Sequence, residues 1–106
     1  MLKDFKTYQL SLEFHRSCLE LKVPSYLKDQ LFRASCSVSL NLAEGSAKPT
    51  ARDQVKFYFI ALGSLRESQA ALEFVKDVNI EVIQLADKLG AHIYKLIQAN
   101  MNRGMI

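Results

Sequence analysis

Residues 27–45 read LKDQLFRASCSVSLNLAEG, from Leu27 to Gly45. Wound on a helix at about 100° per residue, the stretch sorts into three files. Leu27, Leu31, Ala34, Val38 and Leu42 form one apolar stripe. Phe32, Cys36, Leu40 and Ala43 form a second on the opposite side. Gln30, Arg33, Ser37, Asn41 and Glu44 run along the flank between them. A surface helix of a monomer carries one apolar stripe and one solvated face. Two apolar faces joined by a polar seam predict a helix packed against its own bundle on one side and another subunit on the other. Which stripe faces which is open at this level.

Working outward, the breaks are few because the chain holds two prolines and four glycines. Pro24-Ser25 parts a first helix from the second, with Ser25 a suitable N-cap. Gly45 reads as the glycine just past a helix C-terminus, and Ser46–Pro49 as a loop. Thr50 opens a third helix with Asp53 three positions on, a variant of the capping box. A fourth follows a break at Asp77–Ile80 capped by Asn79, and ends near Asn102. The expectation is one domain over 1–106 with helices at 4–22, 26–44, 51–77 and 80–102. Short connections favour antiparallel neighbours, so the predicted fold is all-α, an antiparallel up-down-up-down four-helix bundle.

The first helix repeats the doubled pattern. Phe5, Tyr8, Leu12, Leu19 and Val23 align on one side; Leu10, Phe14, Cys18 and Leu21 on the other. In the third, apolar and small residues cover more than half the circumference, with Phe59 and Phe74 outside even that arc. Apolar surface in excess of what one small bundle hides marks a protein interface. The chain is therefore expected to assemble into a ring-forming homo-oligomer through Leu10, Phe14, Leu21, Phe32, Cys36 and Leu40.

With 49% hydrophobic and 24% charged residues, the 106-residue chain falls among soluble globular proteins. No apolar run is long enough to span a bilayer, and the start Met-Leu-Lys-Asp-Phe-Lys lacks a secretory core, so a cytoplasmic location without membrane is expected. Cys18 and Cys36 then read as small buried hydrophobes in a reducing compartment.

Catalytic patterns are scarce. Neither His15 nor His92 has the glutamate three residues before it that a di-iron bundle needs, and His15 with Cys18 offers two ligands where structural zinc wants four. Gly-x-Ser-x-Gly is missing, and Gly45 and Gly63 stand alone rather than in a phosphate-cradling loop. No metal, no cofactor and no enzymatic activity are expected. The carboxylates of Glu44 and Glu67 read as a structural device: Arg33 ion-paired with one of them, Asn41 and Ser64 hydrogen-bonded nearby, as a buried polar seam that sets register within the bundle or at its subunit contact. Two basic groups remain. Lys48, Arg52 and Lys56 are spaced by four and opposed only by Asp53; Lys88, Lys95 and Arg103 follow the last acid, with His92 sharing the face of the two lysines. These six are candidate phosphate partners, although a net charge of +3 permits nucleic-acid contact without demanding it. The competing reading is a solvated surface.

Leu31-Phe32-Arg33-Ala34-Ser35-Cys36-Ser37-Val38, then Asn41-Leu42-Ala43-Glu44-Gly45, then Phe57-Tyr58-Phe59-Ile60-Ala61-Leu62-Gly63-Ser64-Leu65-Arg66-Glu67 resemble the signature of the four-helix bundle proteins encoded in bacterial 23S rRNA intervening sequences. Two features depart from that pattern: the short connection at Val23-Pro24-Ser25, and Ser68 where an acid often follows the Glu67 position. The resemblance implies a ring, as a homopentamer. It also implies kinship with the accessory proteins of diversity-generating retroelements, which are basic bundles that bind nucleic acid and a reverse transcriptase. It supplies no enzymatic activity. The expected function is a non-enzymatic homo-oligomer that contacts RNA or DNA backbones. The alternative is a protein-binding or structural scaffold without a nucleic-acid role.

Overall fold

Apolar side chains recurring every three or four residues wind this chain into helices, and a computed structural model describes residues 2–104. Among them are four α-helices and no strand: α1 Lys6–Leu19, α2 Ser25–Ser46, α3 Ala51–Leu72 and α4 Ile80–Gly104. A 3₁₀ turn over Leu2–Asp4 precedes α1, with the Leu2 carbonyl accepting from Phe5 N and Gln9 Nε2.

Each helix packs on the next, and α4 returns to α1. Rising numbers on one helix meet falling numbers on its neighbour. Ser11 and His15 of α1 meet Ser39 and Ser35 of α2. Gln30 and Ser37 of α2 meet Glu67 and Ser64 of α3. Gln54 and Gln69 of α3 meet Asn100 and Asp87 of α4. The core runs the length of the bundle through Phe14, Leu31, Leu42, Leu65, Leu89 and Ile93, all fully enclosed.

That core decides between the doubled stripes. On α2 it takes Leu27, Leu31, Ala34, Val38 and Leu42, and on α1 it takes Leu10, Phe14 and Cys18. Leu10 and Phe14, expected at the subunit interface, are instead shut inside the chain's own core, because Thr7, Leu10, Ser11, Phe14 and Cys18 share one face of α1 and that face meets α2 and α4. Leu21 and Phe32 pack against the rim of the core, Cys36 is half-buried, and Leu40 stands 64% exposed.

The helix ends correct four sequence expectations. α1 stops at Leu19, and Glu20 and Leu21 close the last turn by short-range bonds to Ser17 and Cys18. Val23 thus reaches the core from a loop. Pro24, not Ser25, occupies the N-cap of α2, with its proline-restricted φ at −55°. α3 ends at Leu72, after which bonds tighten from i−4 to i−3 and Asp77 takes the left-handed region at φ 60°. Gly45 does not terminate α2. It lies inside the last turn, where Tyr58 and Phe57 come too close for a Cβ. Two caps match the sequence reading: Thr50 Oγ1 accepts from Asp53 N at 3.1 Å, and Asn79 Oδ1 accepts from Val82 N at 3.0 Å.

Candidate nucleic-acid surface, seams and an end hollow

The residues expected in a buried polar seam lie at the surface of the chain. Arg33, Glu44 and Glu67 are exposed, and Asn41 and Ser64 half-buried. Arg33 has no ion-pair partner among the described residues. Glu44 pairs with Lys48 at 3.2 Å, and Glu67 accepts from Gln30 Nε2. The helix explains this: Glu44 lies eleven residues from Arg33, a rise of roughly 16 Å, whereas Lys48 is one turn away. What joins α2 to α3 along this flank is small. Ser37 Oγ and Ser64 Oγ are 2.8 Å apart, Asn41 Nδ2 donates to Ser37, and Ser68 Oγ donates to the Ser64 carbonyl.

A second set of polar contacts, which the sequence reading passed over, joins α1 to α2. Ser11 Oγ lies 2.8 Å from Ser39 Oγ, and His15 Nδ1 lies 2.6 Å from Ser35 Oγ. Ser11 and Ser35 are wholly buried and His15 half-buried, and both contacts tie α1 to α2. Ser35 and Ser39, one turn apart, were the signal: hydroxyls at that spacing beside the stripe of Leu31, Ala34, Val38 and Leu42 mark a satisfied inter-helix flank. Cys18 sits beside them, its thiol pushed up to about 12 by burial despite a hydrogen bond with Ser35. Both cysteines are free thiols. Among the described residues no three His, Cys, Asp or Glu side chains converge as metal ligands. No described helix is long and apolar enough to cross a membrane.

The six basic candidates fall into three places. Lys48 pairs with Glu44 and lies 5.0 Å over the Phe57 ring, and Lys56 pairs with Asp53 at 3.5 Å. With both partly neutralised, Arg52 is left as the cation of that group with no acid in contact. On α4, Lys88 and Lys95 are exposed and flank His92, and Lys6 of α1 joins them. None of these three lysines has an ion-pair partner among the described residues. Lys6 completes a stripe across two helices that α4 alone did not reveal.

Arg103 stands apart, at the end of the bundle. Its Nη2 donates to Gln54 Oε1 at 3.2 Å and Asn100 Oδ1 at 3.0 Å. Asn100, 3% exposed, donates to the same Gln54 oxygen, while Gln54 Nε2 donates to the Lys48 carbonyl. This network edges a hollow of about 870 Å³ walled by Phe5, Tyr58 and Leu96. Nothing in the sequence pointed to it, since Gln54 and Arg103 are 49 positions apart.

Both histidines give up their proton more readily than a free imidazole. His15 is depressed by burial and then by Arg16; His92 by burial and then by Lys6, Lys88 and Lys95. The folded chain therefore binds fewer protons than the unfolded one below the ordinary value of 6.5. Stability is full above that value and is lost as pH falls through it toward the lowered folded values. The urea midpoint is expected to be lower at about pH 5.5 than at about pH 7.5, with the difference shrinking in the doubly substituted His15→Gln, His92→Gln chain. Equal midpoints in the parent overturn this.

A search of curated proteins finds no match to the chain. A family model described as 23S rRNA-intervening sequence protein matches residues 3–98, which takes in all of α1, α2 and α3, most of α4 and the lysine stripe. With that match over nearly the whole chain and its four helices, the chain belongs to the family of 23S rRNA-intervening sequence proteins.

Proposed function

We propose that this protein is a non-enzymatic accessory module: an antiparallel up-down-up-down bundle that assembles into a ring, as a homopentamer, and holds RNA or DNA by its phosphate backbone in the cytoplasm. The observation that carries the nucleic-acid part is the stripe of Lys6, Lys88 and Lys95 around His92, without an acid in contact. Unpaired lysines on a helical flank suit phosphate contacts that position a strand without reading its sequence. A ring repeats the stripe once per subunit, which compensates for the modest +3 charge of one chain. The family's link to rRNA intervening sequences agrees with RNA as the partner. Kinship with diversity-generating retroelement accessory proteins would add a reverse transcriptase as a protein partner.

Assembly is supported by the outer faces of α2 and α3 and the turn after α3, where Leu40, Phe59, Ile60 and Phe74 are each at least half exposed. Arg33, without an ion-pair partner among the described residues, lies in one file with Leu40 on α2, where a carboxylate of a neighbouring subunit would pair with it. The same apolar face favours the second reading, a protein-binding scaffold with no nucleic-acid role. The two differ in their response to salt. Anisotropy titrations of structured RNA and duplex DNA at two salt concentrations are expected to show affinity falling steeply with salt, and Lys88→Glu with Lys95→Glu to abolish it. Absence of binding to either at low salt overturns the nucleic-acid reading and leaves the scaffold.

A further inference from the structure

The hollow at the end of the bundle is built differently from the lysine stripe. Its guanidinium is oriented rather than mobile: Arg103 Nη2 is fixed by two amide oxygens, one of them on nearly buried Asn100, and no acid among the described residues neutralises the charge. A planar fork held this way presents its remaining N–H groups to a phosphate. Tyr58 lies close enough to feel that charge, and Lys3 and Asp4 stand on the same rim, Asp4 without an ion pair to Arg103. The same hollow has an apolar and aromatic wall through Phe5 and Leu96, the Phe5 ring tilted 57° to that of Tyr58 with centroids 6.4 Å apart. An oriented cation and an aromatic wall within one hollow suit the two halves of a nucleotide, and the volume falls within the ~300–1,000 Å³ of ordinary small-ligand sites.

We propose that this hollow takes a nucleoside monophosphate unit, as the phosphorylated terminal nucleotide of a nucleic-acid strand, with the phosphate on Arg103, Lys3 and the Tyr58 hydroxyl and the base against Phe5 and Leu96. The inference deepens the nucleic-acid reading and rests on it for the source of the ligand. It gives the protein two modes on one strand: lysines that follow the backbone anywhere and a hollow that holds an end.

The test uses the full chain and short single strands that differ only in carrying a 5′-phosphate, a 3′-phosphate or neither, with free nucleoside monophosphates as competitors. One phosphorylated end is expected to bind about tenfold more tightly than the unphosphorylated strand, the size of one charge-assisted hydrogen bond. Arg103→Met and, separately, Tyr58→Phe are expected to remove that preference while leaving the salt-dependent affinity of the unphosphorylated strand in place. Lys88→Glu with Lys95→Glu is expected to do the converse. Free nucleotides that shift the melting temperature, in a chain that binds no strand, leave the hollow as a mononucleotide site while the backbone reading fails. Equal affinity for all three strands, with no competition by nucleotides, overturns the proposal.

Discussion

Phe14→Ala is expected to lower the stability of the folded chain by about 3–5 kcal/mol, measured by urea or guanidinium unfolding. Phe14 is completely enclosed, on the α1 face that also carries Leu10 and Cys18, and cutting it to alanine removes the transfer free energy of a ring while leaving a void that fixed helices close only in part. For a domain whose total stability is of the order of 5–15 kcal/mol, this is a large share. The companion is Leu40→Ser. Leu40 is 64% exposed, so the same measurement is expected to move by no more than about 0.5 kcal/mol in the single chain, while the mass by light scattering falls if the α2 face joins subunits. Comparing two protein concentrations separates the effects, because a core defect is independent of concentration and an assembly defect is not. An unchanged unfolding midpoint in Phe14→Ala would place that ring outside the core.

The contrast between Phe14 and Leu40 shows what a sequence of this kind reveals. Helix number and the apolar stripes were legible because a period of 3.6 residues is a property of each segment alone. The facing of the stripes was not. Leu10-Phe14-Cys18 and Tyr8-Leu12-Leu19 are equally apolar, and the choice between them is made by α2 and α4, the helices packed against α1. Chain ends of helices were legible where a side chain caps them, as at Thr50 and Asn79, and misread where backbone geometry decides, as at Pro24 and Asp77.

Charge was the least legible layer. Arg33, Glu44 and Glu67 looked like partners because all three lie in or opposite one file, but pairing depends on the register between helices, which places Gln30 rather than Arg33 on Glu67. The same register brings Lys6 to His92 and Gln54 to Arg103, contacts between residues far apart in sequence. The lysines were recognisable as candidates from their spacing, and their grouping was not.

Two of the helical glycines, Gly45 and Gly63, are expected to respond to alanine with opposite signs. In a helix interior, glycine costs about 0.5–1 kcal/mol relative to alanine, so either replacement gains that much from the backbone. At Gly45 the gain is outweighed. A Cβ there lies 2.7 Å from Tyr58 Cε1 and 3.0 Å from Phe57 Cβ. The first belongs to a ring that is 3% exposed and packed against Phe5; the second is anchored to the α3 backbone. Neither yields easily, and overpacking of this kind costs about 1–3 kcal/mol, so Gly45→Ala is expected to lower the unfolding midpoint and Gly45→Val to lower it further. At Gly63 a Cβ meets nothing within 4 Å, so nothing inside the chain requires glycine, and Gly63→Ala is expected to raise the stability of the isolated chain. Gly63 stands on the outer face of α3 with Phe59 and Ile60, where a second subunit would approach closely under the proposed assembly. Gly63→Ala is therefore expected to stabilise the fold while reducing the mass of the assembly, a pair of effects that a solvated face does not produce. A raised midpoint with an unchanged mass would remove the α3 face from the proposed interface, and a raised midpoint in Gly45→Ala would mean that α2 and α3 are not in close contact at Tyr58.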